Sequence, residues 1–523
     1  MATVVPPPSK RQRREVLERT KVQHQDDPSA QVQGSFRTRF IDGDGQQLAD
    51  VVEVNFADAT EKNMSQLLNT LLQNDKEDAV PYRFKILISE SNKVINSLPA
   101  SPAELPELLK LHGLTSPAEA ILSFVAEPQA VFKVNAVSRL SHRIPGHGQP
   151  ILCAQFSPAT SGLLATGSGD QTARIWDTVT GTPKFTLKGH TGAVIVVSWS
   201  PDGELLATCS MDQTARLWNP RTGEPVNKVL KGHLKDIRAL AWQPYHLWSD
   251  NTPYLATAGK DTTCRIWNVN TGLTEHTLSG HTAAISCVKW GGTGGEKGSI
   301  ITASHDKTLR IWDPVKGVLL HNLKGHAHWV NSLALSTDYV LRTGYFEPGT
   351  QVPATPEEKK QKAKERFEKV ANVKGTLVET MVSASDDFTM YLWDPVQSKD
   401  KPITRMLGHQ KMVNHVAFSP DGRLIASVSW DNHTKLWNPK DGAFIATLRG
   451  HVAPIYLCAF SADSRLLVTA SKDTTLKVWN LKTFQLARDL PGHEDEVYAV
   501  DWSVDGQRVG SGGKDKAVRI WAN

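Results

Sequence analysis

The stretch GHTGAVIVVSWSPDGELLATCSMDQTARLW, residues 189–218, contains the pattern that decides the fold of this chain. It opens on a Gly-His pair, closes on Trp218, and carries Asp212 six residues before that Trp. Two apolar runs lie between these markers, Ala193–Trp199 and Leu205–Cys209, and both are typical of short β-strands. The stretch therefore predicts a small antiparallel β unit, and the same unit recurs along the chain.

The recurrence is regular in three residue types at once. Gly-His pairs end at His147, His190, His233, His281, His326, His409, His451 and His493. The closing residues are Trp176, Trp218, Trp267, Trp312, Trp393, Trp437, Trp479 and Trp521. Six positions before each Trp stands an Asp: Asp170, Asp212, Asp261, Asp306, Asp387, Asp431, Asp473 and Asp515. Most repeat lengths are 42–49 residues, close to the roughly 40–45 of a WD40 blade.

The His and Asp of each repeat suggest catalysis at first sight, but a structural role explains them better. The Asp falls in a turn between two predicted strands, where its carboxylate can accept a hydrogen bond from the imidazole. A Ser or Thr of the second strand and the Trp N–H can extend the network and satisfy groups that are costly to bury alone. A reactive pair has no need to recur eight times.

The eight repeats predict a mainly β fold, an eight-bladed WD40 β-propeller over residues 129–523. The sequence ends two residues after Trp521, so the eighth repeat lacks a fourth strand of its own. Residues 136–142 resemble the strands that precede the other Gly-His pairs. We expect them to pair with the last repeat and close the ring, since closure removes exposed sheet edges.

The fifth repeat contains an insertion, residues 338–379. His326 and Trp393 are 67 residues apart, whereas the other repeats have 28–34 residues between these markers. Thr355-Pro356-Glu357-Glu358 is a capping-box sequence with Pro at the first helical position, so a mostly solvated helix is predicted over the charged run that follows. The insertion is either a tolerated loop or a docking arm.

Composition separates two further regions from the repeats. Residues 1–34 carry a net charge of +2, residues 35–129 carry −6, and residues 130–523 carry +9. The first is interpreted as a flexible basic tail whose run Lys10, Arg11, Arg13 and Arg14 is a nuclear localisation signal, an RNA-anchoring arm or merely a solvated segment. Residues 35–128 show the order ββαββ(α)β, which predicts a ubiquitin-like β-grasp (α+β) domain.

Several functional classes are excluded by what the sequence lacks. The chain has five cysteines and no C-x-x-C pair, which suits a reducing compartment. It has no secretory signal and no apolar run of about 18 residues, so no membrane partner is expected. Phosphate-cradling, nucleophile-elbow and zincin motifs are missing, so an enzyme is not predicted.

The whole chain resembles the Notchless family of large-subunit ribosome assembly factors. The likeness rests on PPPSKRQRR near the start, AVFKV at residues 130–134, GHAHWVNSLALSTDY at 325–339, TPEE in the insertion, and SKDTTLKVW and GHEDEVYAVDWSVDG near the end. The resemblance implies a non-enzymatic monomer of the nucleus, nucleolus and nucleoplasm. Its ubiquitin-like domain would bind midasin, an AAA ATPase, and its propeller would sit on the pre-60S particle, transmitting ATP-driven remodelling or factor release.

The resemblance also implies one metal-binding carboxylate. The family offers a Glu, about eleven residues ahead of AVFKV, to the metal-ion-dependent adhesion site of midasin. In this sequence that residue is Glu119. The chain would thus have no cofactor of its own, and the Mg²⁺ would belong to the partner. The open alternative is that Ser116-x-x-Glu119 is a capping box or a polar turn.

Candidate contact residues on the propeller lie just before each repeat Asp and just after each Gly-His. They are Lys235, Lys260, His305, His328, Trp329, Lys411, Trp430, Lys472 and Lys514. Basic groups interleaved with aromatic rings favour rRNA or an rRNA–protein surface as the partner. The lysines could equally serve solubility alone. A second functional hypothesis is a WD40 adaptor in ubiquitin signalling, which the acidic domain and the lack of a Gly-Gly tail disfavour.

Overall fold

The computed structural model divides the chain into two compact units, residues 1–131 and 132–523. It describes residues 35–41, 47–72, 82–88, 93–95, 105, 121–128, 133–249, 252–350, 352–373, 376–394 and 400–523. The basic tail and Glu119 lie outside the described residues. No helix in the described part of the chain is long and apolar enough to cross a membrane.

The first unit contains a mixed five-stranded sheet and one long helix. The elements are β1 (Ser35–Ile41), β2 (Val52–Asn55), a 3-10 turn (Phe56–Asp58), α1 (Glu61–Leu71), β3 (Tyr82–Ile88), β4 (Lys93–Ile95) and β5 (Ile121–Pro128). The strand order is β2-β1-β5-β3-β4, with β1 and β5 parallel and the other neighbours antiparallel. The five strands and the long helix follow one another in the predicted order: two strands, the helix, two strands and a last strand.

Alternation explains which face of this sheet is buried. Phe36 and Phe40 are four residues apart on β1, so they point to the same face of the sheet. Phe84 lies on β3 and Phe124 on β5. All four side chains are almost fully buried. Helix α1 begins after Thr60, whose hydroxyl accepts the Asn63 N–H, and it covers the aromatic face with apolar side chains at helical spacing.

The second unit is built almost entirely of short strands. In chain order they are β6 (Arg139–Pro145), β7 (Ile151–Phe156), β8 (Leu163–Ser168), β9 (Ala173–Asp177), β10 (Thr182–Leu187), β11 (Val194–Trp199), β12 (Leu206–Ser210), β13 (Thr214–Trp218), β14 (Pro225–Lys231), β15 (Ile237–Trp242), β16 (Tyr254–Gly259), β17 (Cys264–Asn268), β18 (Thr274–Leu278), β19 (Ile285–Gly291), β20 (Ser299–Ser304), β21 (Thr308–Asp313), β22 (Val318–Lys324), β23 (Val330–Leu335), β24 (Asn372–Val373), β25 (Thr376–Leu377), β26 (Met381–Ser385), β27 (Met390–Trp393), β28 (Thr404–Met406), β29 (Val413–Phe418), β30 (Ile425–Ser429), β31 (Thr434–Trp437), β32 (Phe444–Leu448), β33 (Ile455–Phe460), β34 (Leu466–Ser471), β35 (Thr475–Asn480), β36 (Gln485–Pro491), β37 (Val497–Trp502), β38 (Arg508–Gly513) and β39 (Ala517–Ala522).

Within the described residues these strands form eight four-stranded antiparallel sheets. We number them sheet 1 (β7–β10), sheet 2 (β11–β14), sheet 3 (β15–β18), sheet 4 (β19–β22), sheet 5 (β23, β26–β28), sheet 6 (β29–β32), sheet 7 (β33–β36) and sheet 8 (β37–β39 with β6). The first strand of each sheet lies against the first strand of the next, and β37 lies against β7. This is the arrangement of a WD β-propeller, with the first strands surrounding a central channel.

The ring is closed by a strand from the start of the unit. Strand β6 pairs antiparallel with β39, and Leu140 lies opposite Trp521. The sequence places this strand three residues too early, at 136–142, but the pairing itself is confirmed. Closure gives β39 a second neighbour, so the last sheet has no exposed edge at that strand.

The second strand of every sheet is buried on both faces, because sheets pack against it from either side. In β12 all five residues are buried, including Cys209 and the polar Thr208. Small side chains at this position allow sheets to approach closely. In sheet 8, a Cβ at Gly510 would lie 2.9 Å from a Leu164 methyl carbon of sheet 1, so a larger residue there would force the Leu164 side chain to shift.

The insertion folds as two helices and a small hairpin. Helix α2 is Asp338–Thr343, helix α3 is Pro356–Ala371, and β24 pairs with β25. The predicted capping box is confirmed, since the Thr355 hydroxyl accepts the Glu358 N–H and the Glu358 carboxylate accepts the Thr355 N–H. Helix α3 is largely exposed, as predicted, but Ala363, Phe367 and Ala371 form one buried stripe.

That stripe packs on the propeller itself. The Phe367 ring stacks on the His246 ring at a centroid distance of 4.6 Å, and the Lys360 ammonium donates to the Trp248 carbonyl oxygen at 2.7 Å. The insertion is also fixed at its end by Glu379, a buried carboxylate that accepts the Thr293 N–H at 3.2 Å and hydroxyl at 2.9 Å. The insertion is therefore packed against the propeller rather than extended as a free arm.

Closure by β6 predicts a stability effect of a single side chain. Ile144 is buried against Val518 and Ile520, so Ile144→Ala should lower the free energy of unfolding by about 2–5 kcal/mol through lost burial and a residual cavity. Urea unfolding followed by tryptophan fluorescence measures the change. Leu140→Ala, on the exposed face of the same strand, is the control and should stay within about 0.5 kcal/mol. Equal effects would contradict the role assigned to β6.

Candidate functional site

A four-residue hydrogen-bonded network repeats in all eight sheets. In each, the His Nδ1 lies 2.7–3.0 Å from an Asp Oδ2. The His Nε2 lies 2.7–2.9 Å from a hydroxyl of the second strand. The Trp Nε1–H donates to that same hydroxyl at 2.7–3.0 Å. The network predicted from the repeat is confirmed in every sheet.

The electrostatics of one network show why it is structural. Burial alone would raise the pKa of Asp170, but hydrogen bonds from Thr172, Gly148 and His147 outweigh it and lower the pKa to about 2. Burial lowers the pKa of His147 more than the Asp170 carboxylate raises it, so the imidazole is neutral at pH 7. A neutral ring can donate from Nδ1 and accept at Nε2, which matches both of its partners. The His147 side chain is fully buried, so no substrate reaches it.

These pKa shifts predict a loss of stability in mild acid. The pKa values of His147, His409 and His493 are all lowered, chiefly by burial, so below about pH 6.5 the unfolded chain binds more protons than the folded one. The midpoint of thermal unfolding should fall by several degrees between pH 7 and pH 5, and again below about pH 4, where carboxylates such as Asp170 begin to titrate.

Calorimetry across this pH range checks the expectation. A His409→Gln variant is the matched comparison, since it lacks one of these imidazoles and should lose less stability between pH 7 and pH 5. A midpoint that stays constant or rises on acidification would contradict the assignment of buried neutral histidines.

The network also builds one face of the ring. Besides the imidazole, each repeat Asp accepts the N–H of the residue that follows the His, as Asp261 does from Leu234. The residue before the Asp donates its own N–H to the carbonyl three positions after the His, as Lys260 does to Asp236. The two loop positions chosen from the sequence are therefore neighbours in every sheet, and they lie together at one mouth of the channel, here called the Gly-His face.

Three of the candidate residues form one aromatic cluster on this face. The Trp329 ring, 47% exposed, is stacked on the His305 ring at 4.6 Å and 8°. His328 contacts the same indole at 5.3 Å, and its Nδ1 lies 3.5 Å from a carboxylate oxygen of Asp386. Asp386 precedes the repeat Asp of sheet 5, at the position occupied by Lys260 in sheet 3, and it was not among the candidates predicted from the sequence. The Trp329 indole is therefore exposed, and the two histidine rings hold it in place.

The candidate lysines fall into two groups. Lys235, Lys260 and Lys411 are exposed, and the described residues include no carboxylate within ion-pair distance of them. Lys472 lies 3.6 Å from a Glu496 oxygen and Lys514 lies 3.3 Å from an Asp495 oxygen. Positive charge is therefore less evenly spread over the Gly-His face than the sequence suggested.

Trp430 is only half-exposed, and it leads to residues that the sequence analysis missed. Its ring meets the Tyr456 ring at 6.3 Å and 77°, and Tyr456 in turn meets Tyr498 at 5.4 Å. Both tyrosines stand five residues after a Gly-His histidine, near the start of a first strand. That spacing was the available signal, because alternate residues of a first strand face the channel.

The channel beneath this face holds a cavity of about 360 Å³ that the insertion helps to line. Helix α2 crosses it: the Asp338 carboxylate is 2.9 Å from the Lys289 ammonium of sheet 4. The Arg342 guanidinium makes two hydrogen bonds, at 2.9 and 2.8 Å, to the Asp501 carboxylate of sheet 8, on the opposite side of the ring. Neither sequence interpretation of the insertion, tolerated loop or docking arm, anticipated this position.

Two groups of candidate residues cannot be placed. Glu119 and the basic residues Lys10, Arg11, Arg13 and Arg14 lie outside the described part of the chain. Among the residues that are described, no three His, Cys, Asp or Glu side chains are grouped to hold a metal ion. Metal ligation in trans by Glu119 therefore stays a prediction.

Fold and repeated network define this chain as a WD-repeat propeller protein. The WD40 family described as "WD domain, G-beta repeat" matches residues 138–177, 181–219, 223–268, 272–313, 400–438, 442–480 and 484–522. The unmatched stretch 314–399 contains the insertion. The crystal structure of the computationally designed Ika8 protein has a similar fold, with a TM-score of 0.57 and 23% identity, covering 74% of this chain and 100% of that one.

Curated relatives narrow the class further. "Ribosome assembly protein 4" of Chaetomium thermophilum is 64% identical over 447 residues, 85% of each chain. The protein of the same name from Saccharomyces cerevisiae is 48% identical over 86% of this chain and 85% of its own length. "Protein Notchless" of Drosophila melanogaster is 42% identical, covering 78% of this chain and 80% of that one. The chain belongs to this Notchless and Ribosome assembly protein 4 family, which confirms the resemblance.

Proposed function

We propose that this protein is a non-enzymatic assembly factor of the large ribosomal subunit that acts in the nucleus. The similarity to Ribosome assembly protein 4, over 85% of both chains, carries the proposal, since it extends through most of the chain rather than one repeat. The buried His–Asp networks support a role without catalysis, because their polar groups are all engaged in holding the sheets. The names of these relatives do not favour the alternative, a WD40 adaptor in ubiquitin signalling.

The first unit, in this proposal, is a ubiquitin-like domain that binds the midasin ATPase. A mixed sheet of order β2-β1-β5-β3-β4, with its long helix between β2 and β3, is the topology expected of a β-grasp domain. Glu119 lies two residues before β5 and would supply a carboxylate oxygen to the Mg²⁺ of the partner's adhesion site. A divalent ion with oxygen ligands can take such an acid as its last ligand.

The second unit would be an eight-bladed propeller that anchors the protein on the pre-60S particle. Eight sheets in a closed circuit of first strands support that count. The Gly-His face supports the anchoring, because it combines exposed Lys260 and Lys411 with the exposed Trp329 indole. Lysines suit phosphates and an indole suits an unpaired base. ATP-driven movement of midasin would then act on the particle through the propeller.

The midasin contact is tested at Glu119. Glu119→Ala and Glu119→Asp should both abolish binding to the adhesion-site domain in the presence of Mg²⁺, the second because its carboxylate is one methylene shorter. Binding is measured by pull-down with purified proteins, and EDTA should abolish it for the parent. Particle association of both variants should be unchanged, and a Glu119→Ala variant that still binds midasin would refute the assignment.

Anchoring is tested by charge reversal on the Gly-His face. Lys260→Glu with Lys411→Glu should release the protein from large-subunit precursors at lower salt than the parent, with the salt slope of log K reduced by about 2 if both lysines contact phosphate. Sucrose-gradient co-sedimentation at increasing KCl measures this. The matched control is Lys440→Glu with Lys482→Glu. Both lysines are exposed and lie in turns between a third and a fourth strand, on the face of the ring opposite the Gly-His face.

Equal salt sensitivity of both double variants would argue against the Gly-His face as the anchor. The same gradients test the alternative function, because an adaptor in ubiquitin signalling would sediment with polyubiquitinated material instead of precursor subunits.

A further inference from the structure

One part of the Gly-His face differs in chemistry from the rest. Trp430 of sheet 6, Tyr456 of sheet 7, and Tyr498 and Glu496 of sheet 8 lie side by side, and we call them the acid–aromatic surface. The Trp430 and Tyr456 rings meet at 77°, and the Tyr456 and Tyr498 rings meet at 58°. Neither pair is stacked face to face, so the rings do not cover one another's faces completely.

The carboxylate of Glu496 is held at a fixed place among these rings. Its Oε2 accepts hydrogen bonds from the Tyr456 hydroxyl at 2.8 Å and the Tyr498 hydroxyl at 3.2 Å. Burial would raise the pKa of Glu496, but these two bonds and nearby lysines lower it, so the group is ionised at neutral pH. The Glu496 side chain is 18% exposed, so it is not sealed off from solvent.

Acidic and basic side chains lie together around this carboxylate. Glu494, Asp495 and Glu496 are consecutive, and each has one cation beside it: Arg143, Lys514 and Lys472, respectively. The Lys472 ammonium stands 3.6 Å from Glu496, and an ion pair so long and so exposed contributes little. A second positively charged side chain can therefore compete with Lys472 for the Glu496 carboxylate.

We propose that the acid–aromatic surface binds an arginine side chain presented by a partner protein. A guanidinium can stack on Tyr and Trp rings and form two parallel hydrogen bonds with one carboxylate. The two tyrosine hydroxyls already orient Glu496, so little ordering is needed on binding. Lys472 shows that a cation reaches the carboxylate, and the incoming arginine would displace it.

This surface gives the Gly-His face two chemically distinct parts. Lys235, Lys260, Lys411 and the Trp329 cluster suit RNA, and the acid–aromatic surface suits a basic protein segment. The inference does not depend on the proposed role in ribosome assembly, since arginine binding is measured with neither the ATPase nor the particle present.

The experiment uses the full chain and beads that carry many copies of the peptide Ac-GSGRGSG-NH₂. Matched beads replace the arginine by citrulline, which has the same shape without the charge, or by lysine. The arginine beads should retain at least about tenfold more protein than the citrulline beads, with lysine intermediate. Glu496→Gln should reduce retention on arginine beads about tenfold, and Tyr456→Phe should reduce it less, because the ring remains while one orienting bond is lost.

Two further variants test whether Glu496 itself is the arginine-binding carboxylate. Lys472→Met removes the resident cation and should raise retention severalfold. Glu494→Gln is the control, because its carboxylate pairs with Arg143 at 2.6 Å and does not contact the rings, so retention should stay within about twofold. All variants are compared at matched thermal midpoints, which excludes loss of fold.

Three results would overturn the proposal. The first is equal retention on citrulline and arginine beads, and the second is an unchanged affinity of Glu496→Gln. The third is binding of an oligo(U) RNA that is lost on replacing Tyr456 and Tyr498 by alanine, which would assign the rings to unpaired bases instead.

Discussion

The hydrogen bond between a buried imidazole and a repeat Asp is the interaction on which the propeller depends. It joins the loop that enters a sheet to the turn between its second and third strands, and the Trp N–H ties the third strand to the same hydroxyl. Leaving one member unpaired in the interior would cost about 1–3 kcal/mol, so the whole network forms together. Because the network recurs in every sheet, it also holds the loops of the Gly-His face in place. All the candidate contact residues of the propeller lie on those loops.

A ring of sheets is stable only if it closes, and in this chain two connections hold the ring together. Strand β6 completes the last sheet by pairing with β39. Helix α2 adds a second connection, with Asp338 paired to sheet 4 and Arg342 paired to sheet 8 across the channel. Both pairs are partly buried, and removal of one partner leaves an uncompensated charge in the channel. A protein proposed to transmit movement between two partners benefits from such bracing.

The repeat made much of this predictable. His, Asp and Trp at constant offsets imply the network, since few other arrangements satisfy three polar groups so locally, and the capping box at Thr355 and Glu358 implied the start of helix α3. The face could be predicted only in outline. Lys472 and Glu496 belong to different sheets, and His328 and Asp386 are far apart in the sequence of one sheet. Choosing candidates one position at a time does not reveal such pairs.

The sequence by itself determined the architecture and the family, because both depend on short-range patterns: strand alternation, turn residues and markers at fixed spacing. Tertiary structure alone decided where the insertion lies, which lysines keep an uncompensated charge, and that Trp430, Tyr456, Tyr498 and Glu496 form one surface. Those outcomes depend on how neighbouring sheets pack around the channel, and packing brings together side chains that are far apart along the chain.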